Sequence, residues 1–476
     1  MNSPIRNPSP TGSSKAAEGG ETLYAQRQKL YVKGVSGVFT SWRWALVWIT
    51  QLVFYGLPWL TWNDRQAVLL HLTERKFYIF GWVFWPQDVF FLAILLIISA
   101  YALFFFTAVA GRLWCGYACP QTVYTEIFMW IEQKIEGDRN QRMKLDKAPM
   151  SARKAALKTT KYAIWVAVAG WTGFTFVAYF SPLDELLTAA AQLSFGPWEL
   201  FWIVFYGSFT YLFAGVMREQ VCKYMCPYAR FQGVMFDPDT LVITYDEERG
   251  EPRGARKKGV APASLGKGDC VDCGICVQVC PTGIDIRQGL QYECIGCAAC
   301  IDACDQVMDK MAYPRGLIRY STENALKKHW GRKDIMRHVL RPRTLIYGIV
   351  LAAISLAFVW GLATREPLRV DVIRDRASLA REVEGGMIEN VYRLQVMNMT
   401  EQPRVFVFAV SGIEGATIGS ATRIEVASAA TQAVTLQVLV PYDAGKPGVN
   451  ELFFEVHAED DPSLALREKT TFLFPL

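Results

Sequence analysis

The sequence predicts an α-helical polytopic membrane protein with five transmembrane helices, a cysteine-rich insert and a C-terminal immunoglobulin-like β-sandwich. Three observations predict it. Apolar runs near residues 44–62, 88–110, 162–180, 199–217 and 345–363 are each long enough to cross a hydrocarbon core, which takes about 20 residues. Eight cysteines recur in a regular double run between Cys270 and Cys304. Beyond residue 365, short alternating stretches such as Tyr392-Arg-Leu-Gln-Val396 and Leu452-Phe-Phe-Glu-Val456 are separated by turn residues, the pattern of a sandwich.

The 476 residues allow two to four domains, and 51% are hydrophobic, with 15 Trp and 28 Phe. A net charge of +5 is mild and carries no nucleic-acid signature. The first twenty residues are polar and rich in Ser, Pro and Gly, without the apolar core of a signal peptide; they read as a disordered tail. An amphipathic stretch follows at 23–39.

Basic residues set the orientation. Residues 112–158 carry nine Lys and Arg, whereas 181–196 carry none and include Asp184 and Glu185. By the positive-inside rule the first of these loops is cytoplasmic and the second outside. The N-terminus and the cysteine-rich insert are then inside, and everything past the fifth span is outside. The predicted parts are a cytoplasmic tail and amphipathic segment (1–43), a four-helix membrane domain (44–217), a cytoplasmic cysteine-rich region (218–343), the fifth span (344–364) and a periplasmic sandwich (365–476).

The first four spans read as a two-fold repeat. Pro86-Gln-Asp88 opens the second span and Pro197-Trp-Glu199 the fourth. Pro followed by a carboxylate is ordinary helix-start chemistry; the alternative is a quinol or proton site near the outer face. Both spans lead into C-x-Y-x-C-P, as Cys115-Gly-Tyr117-Ala-Cys119-Pro120 and Cys222-Lys-Tyr224-Met-Cys226-Pro227.

The eight-cysteine insert is Cys270-x2-Cys273-x2-Cys276-x3-Cys280-Pro281, then Cys294-x2-Cys297-x2-Cys300-x3-Cys304. This is the run with which bacterial-type ferredoxins hold two 4Fe–4S clusters, the fourth cysteine of each run crossing to the other cluster. On that rule Cys270, Cys273, Cys276 and Cys304 form one ligand set, and Cys280, Cys294, Cys297 and Cys300 the other. Zinc also accepts four thiolates, but zinc motifs seldom show two identical runs at this spacing. Asp305 stands where many ferredoxins have Pro.

Cys115 with Cys119 and Cys222 with Cys226 are spaced i, i+4, which would place each pair on one helical face. Proline after the second cysteine biases that residue away from helix. Packing of the repeats would gather the four thiols, and soft thiolates select Cu(I), zinc or iron–sulfur. Four readings stand: copper capture and reduction, a third redox centre or dithiol relay, a zinc staple, and packing. Arg218, Glu219, Lys223 and Arg230 flank the second motif, as a basic rim or as charges that lower thiol pKa. The four histidines are scattered singly, which argues against haem. Met397 and Met399 share a strand face in the outer domain, where packing is the ordinary role.

In this order of parts, from about Leu23 to the C-terminus, the chain resembles the cytochrome c oxidase accessory proteins of the CcoG/FixG/RdxA family. The resemblance implies a bacterial inner-membrane oxidoreductase, a cupric reductase that converts Cu(II) to Cu(I) and supports assembly of cbb3-type cytochrome c oxidase. It implies two 4Fe–4S clusters on the eight cysteines, and copper as a substrate or transiently bound ion at Cys115, Cys119, Cys222 and Cys226. The expected partners are the lipid bilayer, copper ions, a cytoplasmic electron donor or quinol, and copper transporters, chaperones or oxidase assembly factors. Related quinol dehydrogenases share the CxxxCP repeat and the ferredoxin but lack the sandwich. A quinol-linked conduit and a non-enzymatic redox-sensing assembly factor are therefore the alternatives.

Overall fold

The computed structural model describes residues 29–375 and 380–475; the polar tail and the start of the amphipathic stretch lie outside the described residues. Helix α1 (Val38–Gly56) begins where Asp302, from the cysteine-rich region, accepts hydrogen bonds from Phe39 N (3.2 Å), Thr40 N (2.7 Å) and Thr40 Oγ1 (2.8 Å). A carboxylate supplied from a distant part of the chain thus satisfies the orphan donors of a helix start. Helix α1 stops at Gly56, earlier than the apolar run suggests, because Leu57-Pro58-Trp59 forms a 3₁₀ turn. Residues 60–84 then fold into small antiparallel hairpins that end in the strands Val68–His71, Lys76–Ile79 and Trp82–Phe84.

Helix α2 (Val89–Ala110) follows the turn Pro86–Asp88. Next come the short α3 (Leu113–Tyr117), α4 (Pro120–Glu136), α5 (Arg139–Lys147), α6 (Ala152–Val177), α7 (Leu183–Gln192) and α8 (Pro197–Thr210). Helix α8 runs on as a π-helical turn over Tyr211–Met217, and α9 covers Pro227–Met235. Three stretches are long and apolar enough to span a membrane: Pro86–Ala110, Pro197–Met217 and Pro342–Ala363. The other two predicted spans are helical, as α1 and α6, but more polar. Arg43 lies inside α1, and Arg153, Lys154, Lys158 and Lys161 occupy the first half of α6. Arg43 is held by Glu126 at 2.9 Å and Lys161 by Glu136 at 2.8 Å, so both buried cations are neutralised.

Asp88 and Glu199 act at helix starts. Asp88 Oδ2 accepts from Trp85 N at 3.0 Å and Glu199 Oε2 from Gly196 N at 3.0 Å. Asp88 also pairs with Arg365, just past the helix Pro342–Ala363. Arg365 in turn touches the Met399 sulfur at 3.3 Å, and Met399 packs with Leu69, Tyr78, Val83 and Trp85. Met399 is therefore part of the seat of the C-terminal domain on the hairpins, reinforced by Arg65 and Glu401 at 2.8 Å.

That domain is a sandwich of two antiparallel sheets. One has the order Thr417–Ile418, Ala430–Pro441, Met387–Asn398, Leu368–Arg374, with Arg381–Val383 also on Met387–Asn398; the other is Arg423–Val426, Arg404–Ser411, Gly448–Ala458, Ala465–Phe474. Inward positions alternate, and Tyr392, Leu394, Phe406, Phe454 and Phe472 form the core. Tyr392 brings a hydroxyl into that core and donates it to Thr471 O at 2.8 Å, joining the sheets.

Candidate functional site: two cysteine cavities and a thiol quartet

The two cysteine runs adopt one backbone course twice. Asp272 (φ 53°) and Gly296 (φ 69°) are left-handed, as are Gly274 (φ 64°) and Ala298 (φ 58°), at matching places in each run. These reversals curl three cysteines around a common centre before the helices Ile275–Gln278 and Ala299–Met311 start. One cavity is lined by Cys270, Cys273, Cys276 and Cys304. The other is lined by Cys280, Cys294, Cys297 and Cys300, with Cys276 at its border. The crossover of the fourth cysteine is thus present in the geometry. Burial pushes the thiols of Cys294 and Cys304 up to about 12 and that of Cys276 to about 11. Thiols that line a common cavity fit a centre whose binding displaces their protons. Without a proline after Cys304, the second helix continues to Met311, and Asp305 instead accepts from Gly316 N at 2.9 Å.

The two C-x-Y-x-C-P motifs also share a backbone. Each begins with a left-handed residue, Gly111 (φ 56°) or Arg218 (φ 45°), four positions before the first cysteine. Cys115 lies on α3 and Cys222 on the π-helical turn Val221–Met225. Cys119 and Cys226 are extended (ψ 127° and 111°), each one residue ahead of a proline that starts α4 or α9. The pairs therefore do not share a continuous helical face; the pre-proline restriction breaks the helix between them. The four thiols nevertheless gather, since Cys115 feels Cys119 and Cys222, and Cys222 feels Cys119 and Cys226. Among the described residues no three His, Cys, Asp or Glu side chains converge closely enough to hold a single ion.

Burial pushes the Cys115 and Cys222 thiols up to about 12, and their neighbouring thiols add to this, while Arg112 opposes it. The flanking cations do not lower these thiols on balance. Arg218 is turned away to Glu132 at 2.9 Å and to Gly215 O. Cys115 Sγ contacts Gln232 Oε1 at 3.5 Å, and Gln232 is fully buried.

The quartet abuts the second cysteine cavity. Cys115 and Cys222 border the apolar cluster of Val279, Ile295, Cys297, Ala299 and Ala303, which Cys300 also borders. Gly116 lies so close that a Cβ there would stand 2.8 Å from Cys297 N and Cα. Tyr117 lies beside Tyr320, whose hydroxyl donates to Gly296 O at 2.6 Å. Sequence reasoning singled out all twelve cysteines but not Arg112, Gly116, Gln232 or Asp302. Aligning the two motifs would have flagged Arg112, which falls opposite Glu219; nothing local marks the others.

Paired cysteine cavities beside apolar helices and a C-terminal sandwich define a membrane-associated iron–sulfur electron-transfer protein. The family description "4Fe-4S dicluster domain" matches residues 217–323, and "4Fe-4S binding domain" matches 92–137. The Ig-like fold at the C-terminus of FixG matches 358–475. The chain is 38% identical to the nitrogen fixation protein FixG of Rhizobium meliloti, over 93% of this chain and 91% of that one. It is 39% identical to protein RdxA of Cereibacter sphaeroides (88% and 91% covered) and 41% identical to RdxB of the same organism (82% and 83%). The chain belongs to the FixG/RdxA family.

Proposed function

We propose that this protein is a membrane-bound cupric reductase that supplies Cu(I) for assembly of a cbb3-type cytochrome c oxidase. The observation that carries the reading is the packing of Cys115 and Cys222 in one apolar cluster with Cys297 and Cys300. Cys270, Cys273, Cys276 and Cys304 would hold one 4Fe–4S cluster, and Cys280, Cys294, Cys297 and Cys300 the other. When bound, such clusters supply single electrons, which suits a one-electron acceptor. The chain contributes an apolar contact between that cavity and the thiols. Cu(I) favours soft sulfur and low coordination number, so two thiolates of the quartet suffice to retain it, and no preformed three-donor site is required. In this reading five spans leave the N-terminus and ferredoxin region in the cytoplasm and residues 365–476 in the periplasm, and the chemistry belongs to the reducing compartment. The electron donor is then a cytoplasmic protein or quinol, and the acceptors of Cu(I) are copper transporters, chaperones or assembly factors.

The test is anaerobic reduction of the full-length protein, then addition of Cu(II) with a Cu(I)-specific chelator while the iron–sulfur absorbance is followed. Continuous Cu(I) formation, lost on changing Cys115, Cys119, Cys222 and Cys226 to Ala with cluster absorbance intact, supports the reading. Equal Cu(I) formation in both proteins removes the quartet from the mechanism. A second reading, a third iron–sulfur centre on the quartet, is favoured by the match of a 4Fe–4S binding description to residues 92–137, which include Cys115 and Cys119. An iron content that falls in the quadruple variant would support it.

A further inference from the structure

The two membrane motifs place opposite charges at the same point. Three residues before the first cysteine stands Arg112 in one motif and Glu219 in the other. Both are buried, at 4% and 7% exposure. Arg112 donates to Ala229 O. Among the described residues, Glu219 has only a hydrogen bond from its neighbour, Gln220 Nε2 to Oε1 at 3.0 Å. Other buried carboxylates are compensated: Glu132, Glu136, Asp88 and Glu389 each hold a cation, and Asp302 accepts three hydrogen bonds. Burying an uncompensated carboxylate is costly, and a bound cation removes the cost.

Glu219 lines a cleft between the membrane motifs and the ferredoxin region, together with Cys222, Gln121, Thr122, Met129 and Thr282. Three further charged residues line it, and each is already committed. Arg43 is paired with Glu126 at 2.9 Å and Arg218 with Glu132 at 2.9 Å. Among the described residues, Glu219 is the charge of the cleft without an ion-pair partner, and it stands beside the Cys222 thiol, whose proton it helps to retain.

We propose that Glu219 is the oxygen donor that takes Cu(II) from this cleft and holds it against Cys222, then lets go when the ion becomes Cu(I). The inference rests on the reductase reading. Cu(II) accepts oxygen donors, whereas Cu(I) selects sulfur, so reduction itself exchanges the ligands. In the step, Cu(II) enters, the Cys222 thiol gives its proton to water and a Cu–S bond forms. One electron from the reduced iron–sulfur protein converts Cu(II) to Cu(I). The Cu–O bond to Glu219 then breaks, and a second thiolate of the quartet replaces it, its proton also passing to water.

The test uses the full-length, cluster-loaded protein with Cu(II) and Cu(I) as separate probes. Cu(II) affinity is read by electron paramagnetic resonance in the oxidised protein, and Cu(I) affinity by chelator competition in the reduced protein. Glu219→Gln is expected to weaken Cu(II) binding by about tenfold or more, the scale on which loss of a site group acts. It should leave Cu(I) binding within about threefold, under 1 kcal/mol, and Glu219→Asp should restore most of the Cu(II) affinity. Unchanged Cu(II) affinity in Glu219→Gln, or equal losses for both ions, overturns the inference and leaves the reductase reading standing, provided the quadruple cysteine variant still loses Cu(I). Loss of cluster absorbance in both Glu219 variants assigns the residue a structural role and also overturns it. Failure of the unaltered protein to bind copper in either state overturns the inference and the reading together.

Discussion

Gly116 of the first membrane motif stands against the backbone of Cys297, and Tyr117 beside it is 7% exposed. In the second motif Lys223 and Tyr224 hold the same places, and Tyr224 is 58% exposed. The cysteines, the tyrosine, the proline and the left-handed turn are shared, so both motifs can present a pair of thiols. What differs is the neighbour. The first motif is the dock for the ferredoxin region, and its variable position has shrunk to hydrogen. The second lends Cys222 to the same apolar cluster, but its Tyr224 turns to the surface and a long cation occupies its variable position. A repeat keeps the residues that its chemistry uses and diverges where only one copy meets a partner.

The largest effect is expected where the two halves are tied together. Glu132, on α4 of the first half, holds Arg218 of the second half at 2.9 Å and also Arg142 and Lys161. Glu132→Ala leaves Arg142 and Arg218 without their carboxylate, and Lys161 with Glu136 alone, and should cost about 3–5 kcal/mol, read as a fall in the thermal midpoint of the detergent-solubilised protein. Burial raises the Glu132 carboxyl, but Arg218, Lys161 and Arg142 outweigh it, and it titrates below the usual glutamate range. Its stabilisation is therefore complete above that range and is lost as pH falls through the lower, folded-state value. Glu132→Gln should flatten the acid limb of the stability–pH curve.

Gly116→Ala sharpens the contrast directly. Its Cβ would meet the backbone of Cys297 and Gly296 at 2.8 Å, so the dock must shift, at about 1–3 kcal/mol; on the reductase reading, electron delivery to Cu(II) should slow with it. Lys223→Ala at the equivalent place should stay within about 0.5 kcal/mol. Equal effects would show that the motifs are not differentiated by docking. The smallest effect is expected for the tyrosines. Tyr117→Phe removes the hydroxyl of a buried ring beside Tyr320 and should cost about 1 kcal/mol, whereas Tyr224→Phe should be neutral in the same melt.

Sequence reading reached furthest where the determinants are local. The C-x2-C-x2-C-x3-C runs dictate their own turns, so the ligand partition seen in the two cavities could be stated from spacing alone. Alternation in stretches such as 392–396 and 452–456 likewise marked the sandwich, because a strand's period is written in consecutive residues. The first predicted span, at 44–62, is displaced: the helix there is Val38–Gly56, and it is not among the three stretches long and apolar enough to cross a membrane. Its start is capped by Asp302, about 260 residues away in the chain, and the Trp-rich continuation after Gly56 is apolar without being helical. Gly116 and Gln232 carried no signal either, since a glycine in a motif's variable position and a lone glutamine acquire meaning only from what packs on them. Arg112 and Glu219 were visible as residues, but their opposition emerges only when the two motifs are laid over each other.

Asp302 has a kinetic consequence. The carboxylate that starts α1 belongs to the helix that carries Cys300 and Cys304, so the electron-carrying region is riveted to the membrane helices rather than tethered by a hinge. In a reductase built this way the internal transfer is tunnelling over a set gap, with no diffusive arm to swing. Raising solvent viscosity with sucrose should therefore slow the encounter with an external donor while leaving reoxidation of the pre-reduced protein by bound Cu(II) at the same rate.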